Sequence, residues 1–130
     1  MSNQDNYPVD ISVVVPLYNE EESLPELQAW IHRVMTRNHF SYEVIYVNDG
    51  STDSSQQVID RLAEEYPAEV HSVCFRRNYG KSPALNTGFR RARGRVVITM
   101  DADLQDSPDE IPELYRMITA DHYDLVSGWK

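Results

Sequence analysis

Asp101-Ala102-Asp103-Leu104-Gln105 sets two carboxylates and a carboxamide at alternate positions, directly after the apolar run Val96-Val97-Ile98-Thr99-Met100. In an extended chain, residues i, i+2 and i+4 point to one side. Asp101, Asp103 and Gln105 are therefore expected to face one way where a buried strand ends, and open α/β sheets bind ligands at such carboxyl ends. Two neighbouring carboxylates repel unless a cation or hydroxyl donors lie between them. The spacing suits a hard divalent cation, Mg²⁺ or Mn²⁺, beside a nucleotide. Strand rise would separate the two aspartate α-carbons by about 6.6 Å. Asp103 is thus expected to ligate the metal directly, with Asp101 and Gln105 supporting it through the ribose or a metal-bound water. The competing reading is a solvated turn in which Asp106 or Ser107 caps the helix beginning at Pro108.

Three further polar segments follow apolar runs. Pro16-Leu17-Tyr18-Asn19-Glu20-Glu21-Glu22 follows the first: Pro16 removes a backbone donor, Tyr18 offers a ring for stacking, and Asn19 and Glu20 offer polar contacts. Asn48-Asp49-Gly50-Ser51-Thr52-Asp53 follows the second. It reads as a turn capped by Ser51 or Asp53, but a carboxylate such as Asp49 can also accept the ring N–H of uracil or guanine. Arg76-Arg77-Asn78-Tyr79-Gly80-Lys81 follows the third, where Arg77 and Lys81 beside a helix N-terminus make an anion site. It is neither a P-loop nor a Gly-x-Gly-x-x-Gly turn.

The elements that must position these loops alternate throughout. Strands are expected at Ile11–Val15, Tyr42–Val47, Val70–Phe75, Arg95–Met100 and Asp124–Ser127. Helices are expected at about Ser23–Thr36, with Ser23 as N-cap and Pro25 in the first turn, then Ser54–Tyr66, Ser82–Ala92 and Pro108–Thr119. Right-handed crossovers then build an α/β fold, a mostly parallel sheet with helices on both faces. Residues 1–10 are expected to be a loose lead-in, and residues 11–130 one domain that continues beyond Lys130 in a longer protein.

At 130 residues and 41% hydrophobic, the chain can bury one core. A formal charge of −9 with a pI near 4.7 excludes a nucleic-acid surface, and the local cluster Arg90-Arg91-Ala92-Arg93-Gly94-Arg95 does not alter that balance. The single Cys74 excludes a disulfide framework and a cysteine-rich zinc site; within Val73-Cys74-Phe75 it is expected to be buried. His32, His39, His71 and His122 show no metal-ligand spacing and are expected at the surface or at caps. There is no signal pattern and no apolar run of about 18 residues, so these residues are expected to be soluble and cytoplasmic.

Taken in order, Val13-Val14-Val15-Pro16-Leu17-Tyr18-Asn19-Glu20-Glu21, Val47-Asn48-Asp49-Gly50-Ser51-Thr52-Asp53, Arg77-Asn78-Tyr79-Gly80-Lys81 and Asp101-Ala102-Asp103-Leu104-Gln105-Asp106-Ser107-Pro108 resemble the family 2 glycosyltransferases of GT-A, Rossmann-like fold. The likeness is greatest to the dolichol-phosphate mannose synthase and undecaprenyl-phosphate sugar transferase type, and it covers Ile11 to Lys130. It implies a hexosyltransferase of cell-envelope biogenesis. A UDP- or GDP-linked sugar would pass, with metal assistance and inversion, to a polyprenyl phosphate. Pro16, Tyr18, Glu20 and Asp49 would line the nucleotide pocket, and Asp101, Asp103 and Gln105 would organise the cation and diphosphate. Asn48 stands where many relatives carry Asp. The resemblance also implies an acceptor half after Lys130 and, in several members, membrane helices that hold the protein at the cytoplasmic face. The alternatives are a polysaccharide-forming transferase with a sugar hydroxyl acceptor, and an inert nucleotide-binding regulator. A phospho-receiver domain needs an acidic pair where Pro16-Leu17-Tyr18 stands. A sugar nucleotidyltransferase needs a glycine-rich basic loop there.

Overall fold

The computed structural model describes residues 7–120 and 127–128. In chain order, β1 (Val9–Leu17) leads to α1 (Leu24–Arg37), β2 (Tyr42–Asn48), α2 (Ser55–Glu65), β3 (Val70–Cys74), α3 (Lys81–Arg91) and β4 (Gly94–Thr99). A single 3₁₀ turn at Pro108–Glu110 then runs into α4 (Ile111–Ala120), and β5 (Ser127–Gly128) follows. The alternation expected from the sequence holds, and the strands lie in the order β3-β2-β1-β4-β5. Every pairing is parallel. Of the expected fifth strand, residues 124–126 lie outside the described residues, as does His122. Ser127 and Gly128 pair with Ile98 and Thr99.

The sheet is covered on both faces. Val13, Val15 and Leu17 of β1 pack with α1, α2 and α4 on one side, while Val14 packs with Ile45, Val47 and Ala84 beneath α3 on the other. This alternation along one strand follows from the two-residue period of β-structure. With helices on both faces, β2 is buried at every position.

β1 begins two residues before Ile11 and continues through Pro16 to Leu17. Proline is tolerated for a geometric reason. The Leu17 carbonyl accepts from Asp49 N–H on the β2 side, whereas the Val14 carbonyl accepts from Met100 N–H on the β4 side. Alternation turns the donorless nitrogen of Pro16 toward β4, which has already ended at Thr99.

Among the described residues the buried side-chain polar groups are hydrogen-bonded, except His71 Nε2, which lies 3.6 Å from Glu43 Oε1 without a hydrogen bond. Tyr46 donates to Gln28 Oε1 at 2.7 Å, and Gln28 Nε2 donates to the Tyr42 oxygen at 3.3 Å. The Tyr42 oxygen also lies 2.7 Å from His32 Nδ1, and this histidine is half-buried against Tyr42 and Tyr66 rather than on the surface. Burial raises the pKa of both Tyr42 and Tyr46, so each remains a neutral phenol. Cys74 is exposed, contrary to expectation. β3 is an edge strand, and past Val70 the residues sharing its face, Ser72 and Cys74, are uncovered.

At the amino end of the sheet, buried Glu43 joins three strands. Its carboxylate accepts from Ser12 Oγ at 2.6 Å, Arg93 N–H at 2.8 Å and the Arg93 guanidinium at 3.1 Å. Ser12 Oγ in turn accepts from Gly94 N–H at 2.8 Å, which fixes the start of β4. Removing one partner of a buried polar set leaves the others unpaired and costs about 3–5 kcal/mol. Because Arg93 is half exposed, Glu43→Ala is expected at the low end, about 3 kcal/mol. Urea unfolding checks this, and a loss below about 1 kcal/mol would show the cluster to be no stronger than a surface pair.

Candidate functional site

The chain order puts α1, α2 and α4 on one face and α3 on the other, and the strand order reverses between the neighbours β1 and β4. A crevice opens between them at the carboxyl edge, the usual ligand position in such sheets. Here it is a cleft of about 280 Å³ lined by Pro16, Leu17, Tyr18, Glu20, Asp49, Lys81, Asp101, Ala102 and Asp103. Residues from four segments of the chain meet in it.

The loops after β1 and β2 are stitched together by side chains bonded to backbone. Ser51 Oγ accepts from Asn19 N–H at 2.9 Å, Ser55 Oγ from Glu20 N–H at 3.0 Å, and Glu21 Oε1 from Ser54 N–H at 2.7 Å. Asn19 Oδ1 accepts from Thr52 N–H at 2.8 Å and Asp53 N–H at 3.2 Å. Asn19 is therefore a clamp between loops and not part of the cleft lining, although the sequence suggested a ligand contact. Its left-handed φ of 55° is one that asparagine adopts more readily than most residues. Burial pushes the Asp53 carboxyl up, but hydrogen bonds from Ser55 and from the Glu21 N–H outweigh it and hold it below the usual carboxylate range. Buried Asn48 uses both ends of its amide, accepting from Ser51 N–H at 3.0 Å and donating to Gln56 Oε1 at 2.9 Å. An aspartate there would lose the second bond, which gives this departure from the family pattern a local reason.

Asp49 lines the cleft and is only 5% exposed, with Tyr79 N–H at 2.7 Å from Oδ1 and Gly80 N–H at 3.0 Å from Oδ2. A carboxylate has about four acceptor positions, so capacity remains toward the cleft. Tyr18 stands at the rim with its ring 44% exposed. Lys81 Nζ, also in the lining, lies 3.0 Å from Asp101 Oδ1. Arg77 does not join it: its guanidinium lies over the Tyr79 ring, 5.2 Å from the centroid, outside the cleft lining.

The Asp101–Gln105 segment is a turn rather than the extended strand end inferred from alternation. Leu104 adopts φ 68°, and Asp106 Oδ2 accepts from Asp101 N–H at 3.0 Å, closing the loop. Asp101 and Asp103 still face the cleft, with Ala102 buried between them, but Gln105 is exposed and outside its lining. Gln105 N–H donates to Asp103 Oδ1 at 3.2 Å, so it touches this carboxylate through backbone instead of side chain. Ser107 does cap the 3₁₀ turn, accepting from Asp109 N–H. Ser23 occupies the N-cap position of α1 without capping it. Its hydroxyl instead donates to the Ala102 carbonyl at 2.6 Å and holds the acidic turn against the helix start. The short distance between Ser23 and Asp101-Asp103 is invisible in a sequence where they stand far apart.

Among the described residues no group of three or more His, Cys, Asp or Glu side chains is arranged to hold a metal. Asp101 and Asp103 supply hard carboxylate oxygens, and Mg²⁺ or Mn²⁺ takes one or two of these together with phosphate oxygens and water. The donor set fits a cation shared with a bound diphosphate.

The profile described as glycosyl transferase family 2 matches residues 12–130. An undecaprenyl-phosphate 4-deoxy-4-formamido-L-arabinose transferase of Pseudomonas fluorescens is 45% identical over 122 residues, 93% of this chain and 36% of that protein. Its counterpart in Pseudomonas aeruginosa is 44% identical over 123 residues, 94% and 36% of the two chains. This chain thus spans about a third of the length of these curated relatives. Among solved structures, the Pyrobaculum calidifontis mannosyltransferase in complex with GDP-Man and Mn²⁺ superposes with a TM-score of 0.73 at 31% identity, over 86% of this chain and 33% of that one. Staphylococcus aureus TarS in complex with UDP-GlcNAc shares the fold, with a TM-score of 0.66 at 24% identity over 87% and 32%. The α/β sheet is thus of GT-A type, and the chain belongs to glycosyl transferase family 2.

Proposed function

We propose that this chain is the nucleotide-sugar-binding portion of a hexosyltransferase that moves a sugar from a UDP- or GDP-linked donor to a polyprenyl phosphate, with inversion. One observation carries the reading. A single cleft at the carboxyl edge is lined by a buried carboxylate, an exposed tyrosine, a lysine and two further carboxylates. That arrangement matches a nucleoside diphosphate, whose base needs a flat contact and an acceptor and whose diphosphate needs positive charge. The names of the Pseudomonas relatives give undecaprenyl phosphate and 4-deoxy-4-formamido-L-arabinose as the acceptor and sugar of those proteins, which supports a lipid-phosphate acceptor here.

In this reading Tyr18 and Asp49 hold the base, with Pro16 and Leu17 as the apolar floor and Glu20 beside them. Lys81 neutralises charge that grows on the departing diphosphate, acting by electrostatic stabilisation of the transition state. A divalent cation held by Asp103 and Asp101 would add Lewis-acid stabilisation at the same oxygens. The acceptor phosphate is already an anion and needs no base to deprotonate it. No helix among the described residues is long and apolar enough to cross a membrane. A lipid acceptor nevertheless puts the reaction at a membrane surface, and a cytoplasmic face suits a nucleotide donor.

Calorimetric titration with UDP and with GDP, in Mn²⁺ and in Mg²⁺, is expected to show binding of one nucleotide that weakens about tenfold or more in Asp103→Ala, the scale of losing one charged contact. No binding of either nucleotide, or unchanged binding by the variant, would sink the reading. Lys81→Met is expected to weaken the nucleoside diphosphate about tenfold while leaving the corresponding nucleoside unchanged. An equal loss for both ligands would remove Lys81 from the diphosphate end.

A further inference from the structure

Asp49 is bonded in a way that contact with a base does not require. Its two oxygens each take a backbone N–H from the loop before α3, Tyr79 at 2.7 Å and Gly80 at 3.0 Å. Lys81, the first residue of α3, comes immediately after and meets Asp101 at 3.0 Å. Residues 76–80 carry no helix or strand of their own, so their path depends on what holds them from outside. Two glycines allow the hold. Gly80 has φ 105°, a region that side chains disfavour, and this bend turns successive N–H groups onto one carboxylate. Gly50, with φ 75°, passes so close to the neighbouring loop that a Cβ would stand 2.5 Å from Asn78 N. N–H bonds to an ionised acceptor are about twice as strong as neutral ones, and Asp49 is almost fully buried.

We infer that Asp49 is a positioning residue for Lys81: by anchoring Tyr79 and Gly80 it sets where the diphosphate-binding ammonium stands, in addition to any contact with the base. The inference rests on the nucleotide-sugar reading above and deepens it, since one carboxylate then bears on both the base and the diphosphate. A donor whose base disturbs Asp49 would also shift the group that meets its diphosphate.

Inorganic pyrophosphate with Mn²⁺ separates the two roles, because it has no base for Asp49 to touch. Calorimetry on the wild type, Asp49→Asn, Lys81→Met and the double variant is expected to show pyrophosphate binding about tenfold weaker in Asp49→Asn, the scale of one lost charged hydrogen bond. In the Lys81→Met background the same substitution is expected to change affinity by less than about twofold, as for residues acting through one another. Hydrogen exchange is expected to show the Tyr79 and Gly80 amides protected in the wild type and one of the two unprotected in Asp49→Asn, whose side chain keeps a single acceptor oxygen. If Asp49→Asn weakens UDP or GDP but not pyrophosphate, Asp49 is a base contact alone and the inference falls. Additive effects in the double variant overturn the route through Lys81. Unprotected Tyr79 and Gly80 amides in the wild type overturn it even if Asp49→Asn fails to fold. A wild type that binds a nucleoside diphosphate but not pyrophosphate defeats this inference alone, whereas one that binds neither defeats the nucleotide-sugar reading as well.

Discussion

The site depends on one topological constraint: β1 lies between β2 and β4 in a parallel sheet whose connections leave on opposite faces. Parallel strands bring all their carboxyl ends to one edge. At the reversal in strand order, between β1 and β4, the loops that follow these strands border the crevice at that edge. Apart from Lys81, which begins α3, every residue lining the cleft lies within four positions of a strand end. The core therefore does more than stabilise: burial of Val13, Val14 and Val15 fixes where Pro16, Leu17 and Tyr18 emerge.

A rigid sheet still leaves the loops free, and a second level of structure removes that freedom. Side chains from one loop bond to the backbone of another, as in Ser51 to Asn19, Asn19 to Thr52 and Asp53, Asp49 to Tyr79 and Gly80, and Ser23 to Ala102. Such bonds stabilise modestly one at a time, about 1 kcal/mol each. Their larger effect is on geometry, because each satisfies a backbone group that would otherwise need water and each fixes one loop relative to the next. Serine, asparagine and aspartate recur here because a short polar side chain reaches a neighbouring backbone without the entropy cost of a long one.

The distinction between these two levels also decides what could be read from the sequence. Strand and helix periodicity is written in every apolar residue, so the alternation, the parallel sheet and the edge that carries the cleft were all legible. Family motifs located the right loops. Which side chain faces the cleft was less legible, because it turns on single dihedrals and on contacts between distant segments. Leu104 at φ 68° breaks the alternation that would have aligned Gln105 with Asp101 and Asp103. Arg77 is drawn aside by the Tyr79 ring, and Asn19 is consumed by the backbone of the next loop. Cys74 illustrates the same limit in the sheet: an apolar triplet marks a strand but does not say whether that strand lies at an edge.

Charge is the last constraint, and it bears on where a cation belongs. The protein carries a formal charge of −9, and the cleft itself holds Glu20, Asp49, Asp101 and Asp103 against a single Lys81. An anionic diphosphate would be repelled unless these carboxylates were compensated. Asp49 has two backbone N–H donors and Asp101 has the Lys81 ammonium. Among the described residues Asp103 accepts only the Gln105 N–H, at 3.2 Å, and it is exposed to the cleft. In the proposed reading Asp103 is therefore the least compensated carboxylate facing the diphosphate. A divalent cation bound there removes the largest remaining repulsion, which is a physical reason to favour it over Asp101 as the direct ligand.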